Sequence, residues 1–158
     1  ASVGDYDLVQ SGLARHGLEI GFYKIAMRPG KPLMFGHVGS TPMLGLPGNP
    51  VSALVCATIF LRPALMKMLG AAEDIGESTL PLAAALPEND QRQDYLRARV
   101  EKNADGESVV RAFEKQDSSM LSRLAQADML IVRAPHAKAA EAGESVRVIH
   151  LQASAFRI

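Results

Sequence analysis

Lys24, Arg28 and Lys31 fall within the stretch Lys24-Ile25-Ala26-Met27-Arg28-Pro29-Gly30-Lys31-Pro32. Three cations beside a proline- and glycine-stiffened turn suit the binding of a negatively charged ligand. Further on, Gly45-Leu46-Pro47-Gly48-Asn49-Pro50 sets a second stiff turn against the start of a long apolar run. Asn49 is the expected N-cap and Pro50 the first helical residue, since proline lacks an N–H where helical donors are unpaired anyway. The remaining first-turn N–H groups and the positive end of the helix dipole are then expected to face whatever the loop encloses. Two loops converging on one oxyanion, phosphate or a similar ion, is the chemistry this pattern favours. Each piece also has a plainer role: a Pro-Gly-Asn-Pro turn serves as a connector, and Lys24 and Arg28 as the solvated face of an edge strand.

The elements that must hold these residues follow from periodicity. Asp5 or Asp7 caps a helix through about Gly17, with Leu8, Val9 and Leu13 on its buried side. Ile20–Met27 reads as a strand that places Tyr23, Ile25 and Met27 on one face and Lys24, Ala26 and Arg28 on the other, so Lys24 and Arg28 point the same way. Leu33–Phe35 and Met43–Leu46 read as short strands separated by turns over Gly36–Pro42. A helix follows from Pro50 to Leu69, closed by Gly70, with Pro63 kinking it or ending its first segment near Arg62. Its nearly all-round apolar character predicts burial on most sides, against further N-terminal elements or a second subunit.

Residues 71–78 form a polar break after which short strands dominate. Thr79–Leu86, Tyr95–Val100, Ser108–Phe113, Leu130–Arg133 and Val146–Leu151 are the expected strands, with a hairpin turn at Asn103-Ala104-Asp105-Gly106 and one short helix over Met120–Ala127. The predicted organisation is an α/β part over 1–72, a linker over 73–78 and a small β domain over 79–158.

At 158 residues and 47% hydrophobic content, the chain can fill a real core. Lysine plus arginine and aspartate plus glutamate each number 17, so no global field recruits nucleic acid or an anionic membrane, and any positive site is local. The one cysteine, Cys56, excludes an internal disulfide and reads as a small buried apolar residue. His16, His37, His136 and His150 are too dispersed to suggest a metal motif. The apolar stretch Val51–Leu61 falls short of the roughly 20 residues that span a bilayer. No signal peptide is visible, and a cytoplasmic setting is expected. Opening on Ala1 in loop-like sequence, the chain reads as a fragment of a longer protein.

Gly4-Asp5-Tyr6-Asp7, Lys24 through Pro32, and Gly45-Leu46-Pro47-Gly48-Asn49-Pro50-Val51-Ser52 together resemble the MoeA family of molybdopterin molybdenumtransferases, which includes the E domain of gephyrin. The likeness continues to Arg62-Pro63-Ala64-Leu65 and, less specifically, through Asp117-Ser118-Ser119-Met120-Leu121 and Ala127-Asp128. It implies the C-terminal half of a molybdopterin-binding three-layer α/β domain, followed by a small β-barrel-like domain. The implied reaction inserts molybdate into adenylylated molybdopterin (molybdopterin-AMP) with Mg²⁺ and releases AMP. The resemblance gives Lys24, Arg28 and Lys31 the binding and orienting of negative charge, and makes Asp5 the candidate for Mg²⁺ or water contact. Ser2, Gly4, Pro29, Gly30, Pro47, Gly48, Asn49, Pro50 and Ser52 would border the substrate. Local sequence favours Asp5 as a helix cap over a metal ligand, and the two roles can coexist. Arg28 stands where some members carry lysine, which keeps the charge but changes its geometry. The resemblance also implies a homodimer in the full-length protein and a partner that supplies adenylylated molybdopterin. An alternative reading is a non-catalytic dimerisation or scaffold module, with the fragment itself inactive.

Overall fold

The computed structural model describes residues 8–71, 76–117 and 124–151. The caps expected at Asp5 and Asp7 and the first half of the helix expected over 120–127 lie outside them, while Leu124 and Ala125 are helical. Helix α1 (Leu8–Ala14) ends three residues before Gly17, whose φ of 78° lets the chain reverse where a side chain would be strained. It leads into an antiparallel sheet of β1 (Leu18–Tyr23), β3 (Met34–Val38) and β4 (Thr41–Gly45), in the order β1-β3-β4. The turn between β3 and β4 is tighter than expected: Val38 pairs with Thr41, and Gly39 takes the left-handed conformation.

The strand expected over Ile20–Met27 is interrupted. β1 stops at Tyr23, Lys24 adopts φ 68°, and the chain re-enters a strand only at β2 (Met27–Arg28), which belongs to a different sheet. The period-two argument that put Lys24 and Arg28 on one face fails because alternation holds only while the backbone stays extended.

Helix α2 (Pro50–Cys56), a π-helical turn (Ala57–Leu61) and helix α3 (Arg62–Met68) run on as one rod from Pro50 to Met68. Pro63 does not break it. Proline has no N–H to give to the carbonyl four residues back, and the N–H of Arg62 reaches back five residues to Ala57, so the helix widens just before Pro63. The 19-residue rod is long and apolar enough to cross a membrane on length and composition, contrary to the shorter stretch read from sequence. Its first turns bury Val51, Val55 and Cys56 in protein core, but no residue from Ala57 to Met68 is fully buried.

The remaining strands are β5 (Glu77–Pro81), β6 (Gln93–Lys102), β7 (Ser108–Ala112), β8 (Met129–Arg133) and β9 (Ser145–His150). β5 begins inside the expected linker, with Glu77 and Ser78 already paired to Ile149 and Val148. The sheet order is β2-β6-β8-β9-β5, with β7 also on β6. β8 lines one edge of β6, and β2 and β7 share the other, because Asp94 pairs with both Arg28 and Arg133 and Ala98 with both Ala112 and Met129. Just past β5, Leu82 bridges to Val110 and the Ala83 N–H donates to the Val110 carbonyl at 2.9 Å, closing the sheet barrel-fashion. The hairpin turn before β7 forms where expected, with Gly106 at φ 80°.

Two cores result. Leu82, Ala98, Val110, Met129, Ile131, Ala140, Val146 and Val148 fill the barrel. A second cluster joins Met27, Leu33, Val55 and Cys56 to Tyr95, Leu130 and Ile149, so the α/β part and the barrel share buried apolar surface. Burial pushes the Cys56 thiol up to about 12, as suits an inert packing residue.

Candidate functional site

Sheet register brings the two motif loops together. Tyr23 pairs with Met34 and Met34 with Gly45, so three strand ends lie side by side. From that one end of the sheet emerge Lys24, the Ile25–Leu33 segment and the Leu46–Pro50 turn. The first loop is closed by its own backbone: the Lys24 N–H donates to the Leu33 carbonyl at 3.0 Å, Ile25 to Lys31 at 2.9 Å, and Leu33 to Gly30 at 3.1 Å. Gly30 has φ 118° and packs on α2; a Cβ there would sit 2.5 Å from the Cys56 sulfur. Only glycine meets both demands. The Arg28–Pro29 peptide is cis.

Lys24 and Lys31 are exposed at this end, and neither forms a salt bridge among the described residues. Lys24 Nζ lies 5.2 Å from the centre of the Tyr23 ring, a cation–π distance. Arg28 is placed differently. Its Nε donates to Asp94 Oδ1 at 2.9 Å and its second fork nitrogen to Asp94 Oδ2, while Asp90 lies 3.6 Å away. Asp90 in turn accepts from Arg92, a bond that holds its carboxyl down to about 2.

In the second loop Pro47 is buried, Gly48 and Pro50 are exposed, and Pro29 and Asn49 are half-buried. Asn49 is the N-cap, as its side-chain type predicts: Oδ1 accepts from the N–H groups of Val51 at 3.0 Å and Ser52 at 3.2 Å. Ala53 donates to the Asn49 carbonyl at 2.8 Å. This corrects the expectation that first-turn N–H groups face a ligand. Pro50 has none, and the next three are satisfied within the chain, so attraction for an anion here falls to the lysines and the helix dipole. Ser52 is buried on α2, inside the protein.

Ser2, Gly4 and Asp5 lie outside the described residues. Among the described residues no three His, Cys, Asp or Glu side chains gather as a metal site. Sequence reasoning missed Asp94 and Asp90 as partners of Arg28, because the Arg28–Asp94 pair spans 66 positions and leaves no local signal. It also missed Arg97, which is only 1% exposed. Its guanidinium donates to Gln116 Oε1 at 3.2 Å and to the Asp117 carbonyl at 3.0 Å, and burial pulls its pKa below the usual arginine value.

A mixed α/β unit thus shares a core with a small barrel and carries two lysines and a capped Pro-Gly-Asn-Pro turn at one sheet end. Residues 1–67 match the probable molybdopterin binding domain family, and residues 79–151 match the MoeA C-terminal region (domain IV). The molybdopterin molybdenumtransferase of Haemophilus influenzae is 32% identical over 153 residues, covering 93% of this chain and 37% of that protein. The molybdenum cofactor synthesis protein cinnamon of Drosophila melanogaster is 33% identical over 150 residues, covering 90% of this chain and 24% of that protein. Among solved structures, the molybdopterin biosynthesis MoeA protein from Pyrococcus horikosii superposes with a TM-score of 0.77 at 26% identity, covering 96% of this chain and 36% of that one. The chain belongs to the MoeA family. It spans little more than a third of the length of the Haemophilus relative.

Proposed function

We propose that this chain forms part of a molybdenum cofactor biosynthesis enzyme that inserts molybdate into adenylylated molybdopterin and releases AMP. The observation that carries the reading is the convergence of Lys24, Lys31 and the Pro47–Pro50 turn at one end of the β1-β3-β4 sheet. Molybdate is a dianion and the organic substrate carries phosphate, so uncommitted ammonium groups on a rigid loop would draw and orient both. Arg28 belongs to the same loop, and Gly30, Gly48 and Asn49 shape the backbone around it. Ser2, Gly4 and Asp5 would complete the substrate side, with Asp5 the candidate contact for Mg²⁺. The parent would work in the cytoplasm as a homodimer, receiving adenylylated molybdopterin from a partner.

Molybdenum cofactor formation by full-length protein at controlled molybdate and Mg²⁺ tests this. Lys31→Ala should slow insertion about tenfold or more, the effect of one charge-assisted contact worth about 1.5–3 kcal/mol. Asp5→Asn should alter the Mg²⁺ dependence. Wild-type rates and unchanged concentration dependence in both variants would reject the assignment.

A second reading, an assembly module, is favoured by the apolar groove between the helical rod and the β1-β3-β4 sheet. The groove encloses about 520 Å³ and is lined by Phe22, Phe35, Met43, Phe60, Leu65 and Met68 among others. Sedimentation at increasing concentration tests it: a strict monomer would leave that groove without a self-association role.

A further inference from the structure

We propose that Asp94 is a positioning residue for the oxyanion site, acting through Arg28, and that Arg28 anchors the lysine-bearing loop to the barrel instead of touching the anion. The inference rests on the site reading above and assigns its parts. Asp94 stands on β6 in the barrel and is nearly buried, its side chain only 5% exposed. A buried carboxylate needs partners for both oxygens, and Arg28 supplies both through a bidentate fork. The backbone reinforces the join. β2 runs parallel to β6 with Arg28 opposite Asp94, and the Gln93 N–H donates to the Ala26 carbonyl at 3.0 Å. Gly30, two residues on, is wedged against Cys56, so the segment that ends at Lys31 is held from the barrel on one side and from α2 on the other.

Electrostatics points the same way. Asp94 and Asp90 both face the Arg28 guanidinium, so its single positive charge is met by two carboxylates. A dianion approaching Arg28 would be repelled by the pair, whereas at Lys24 and Lys31 it meets uncompensated ammonium groups. Lysine at position 28 could supply the charge but not the fork that grips Asp94. The barrel thus contributes to the site through Asp94, the buried carboxylate whose bidentate grip on Arg28 sets where the loop lies.

The experiment is molybdate titration calorimetry on full-length protein for Lys31→Ala, Arg28→Gln, Asp94→Asn and the Arg28→Gln/Asp94→Asn double variant. Asp94→Asn keeps the size and removes the charge. If Arg28 positions the loop, Arg28→Gln and Asp94→Asn each weaken molybdate binding, by about fivefold to tenfold, and the double variant is no weaker than the worse single. If Arg28 is a direct anion ligand, the two change affinity in opposite directions, because Asp94→Asn frees the guanidinium; that result, or no change in Arg28→Gln, overturns the proposal. Should Asp94→Asn not fold, the wild-type protein decides: on molybdate addition the Lys31 amide resonance should shift while the Arg28 Nε–H resonance stays, and a shift at Arg28 Nε–H overturns the role. Unchanged binding in Lys31→Ala defeats the site reading itself, and the positioning role with it.

Discussion

The two ends of this molecule handle apolar surface in opposite ways. In the barrel β5 through β9 pair with one another, the Leu82–Val110 bridge joins the β5 end to β7, and the inward side chains make a core closed within the chain. In the helical rod full burial stops at Cys56 and core contact at Ile59 and Phe60; Leu54 is 52%, Leu65 47% and Met68 72% exposed. The difference teaches that the barrel closes its inner core with its own strands and lends its outer face to the second core, whereas the rod is anchored at its N-terminal end, where the candidate site lies, and open at the other. A rigid anchor under the Pro47–Pro50 turn is what the proposed charge-positioning role would require, and the exposed end is the surface that the assembly reading would use.

The strongest way to break the comparison is to cut the same volume from each region. Ile131→Ala in the barrel should cost about 4 kcal/mol in denaturant unfolding, since it leaves a cavity in a closed core. Leu65→Ala on the rod should stay within about 0.5 kcal/mol. Comparable losses at the two positions would refute the contrast. Next in size is Gly30→Ala, which forces a side chain into a left-handed backbone against Cys56; a loss of about 3 kcal/mol is expected, read by thermal melting. An unperturbed melt would show that the Gly30–Cys56 packing does not anchor the loop.

Asn49→Ala sharpens the same point at smaller scale. It removes the acceptor for two first-turn N–H groups and should cost about 1 kcal/mol, measurable as a shift in the urea midpoint. The smallest effect is electrostatic. Arg92 holds the folded-state Asp90 at about 2 against an ordinary 3.8, so its stabilisation is present above the ordinary value and is lost as pH falls from about 4 through about 2. Asp90→Asn should flatten that part of the melting-temperature profile slightly, and the difference should shrink in salt because the pair is exposed. Superimposable acid profiles for Asp90→Asn and its parent would remove Asp90 from the Arg28–Asp94 cluster as an energetic member.

What sequence alone determined were the features whose physics is local. Asn49 before Pro50 is a cap because the side-chain oxygen needs to reach only two and three residues ahead. Asn103-Ala104-Asp105-Gly106 is a turn because Gly106 takes a conformation that side chains resist, and Leu130–Arg133 is a strand because it is a short apolar run buried along most of its length. The motif loops were legible for the same reason, as runs of adjacent residues. Tertiary structure decided what depends on partners distant along the chain. It separated Lys24 from Arg28 by a left-handed turn and a change of sheet, gave Arg28 to an aspartate 66 residues away, buried Arg97 under Gln116, and carried the rod through Pro63. Charge and periodicity show which groups are available, but whether a cation meets solvent or a buried carboxylate depends on which strand the fold lays beside it.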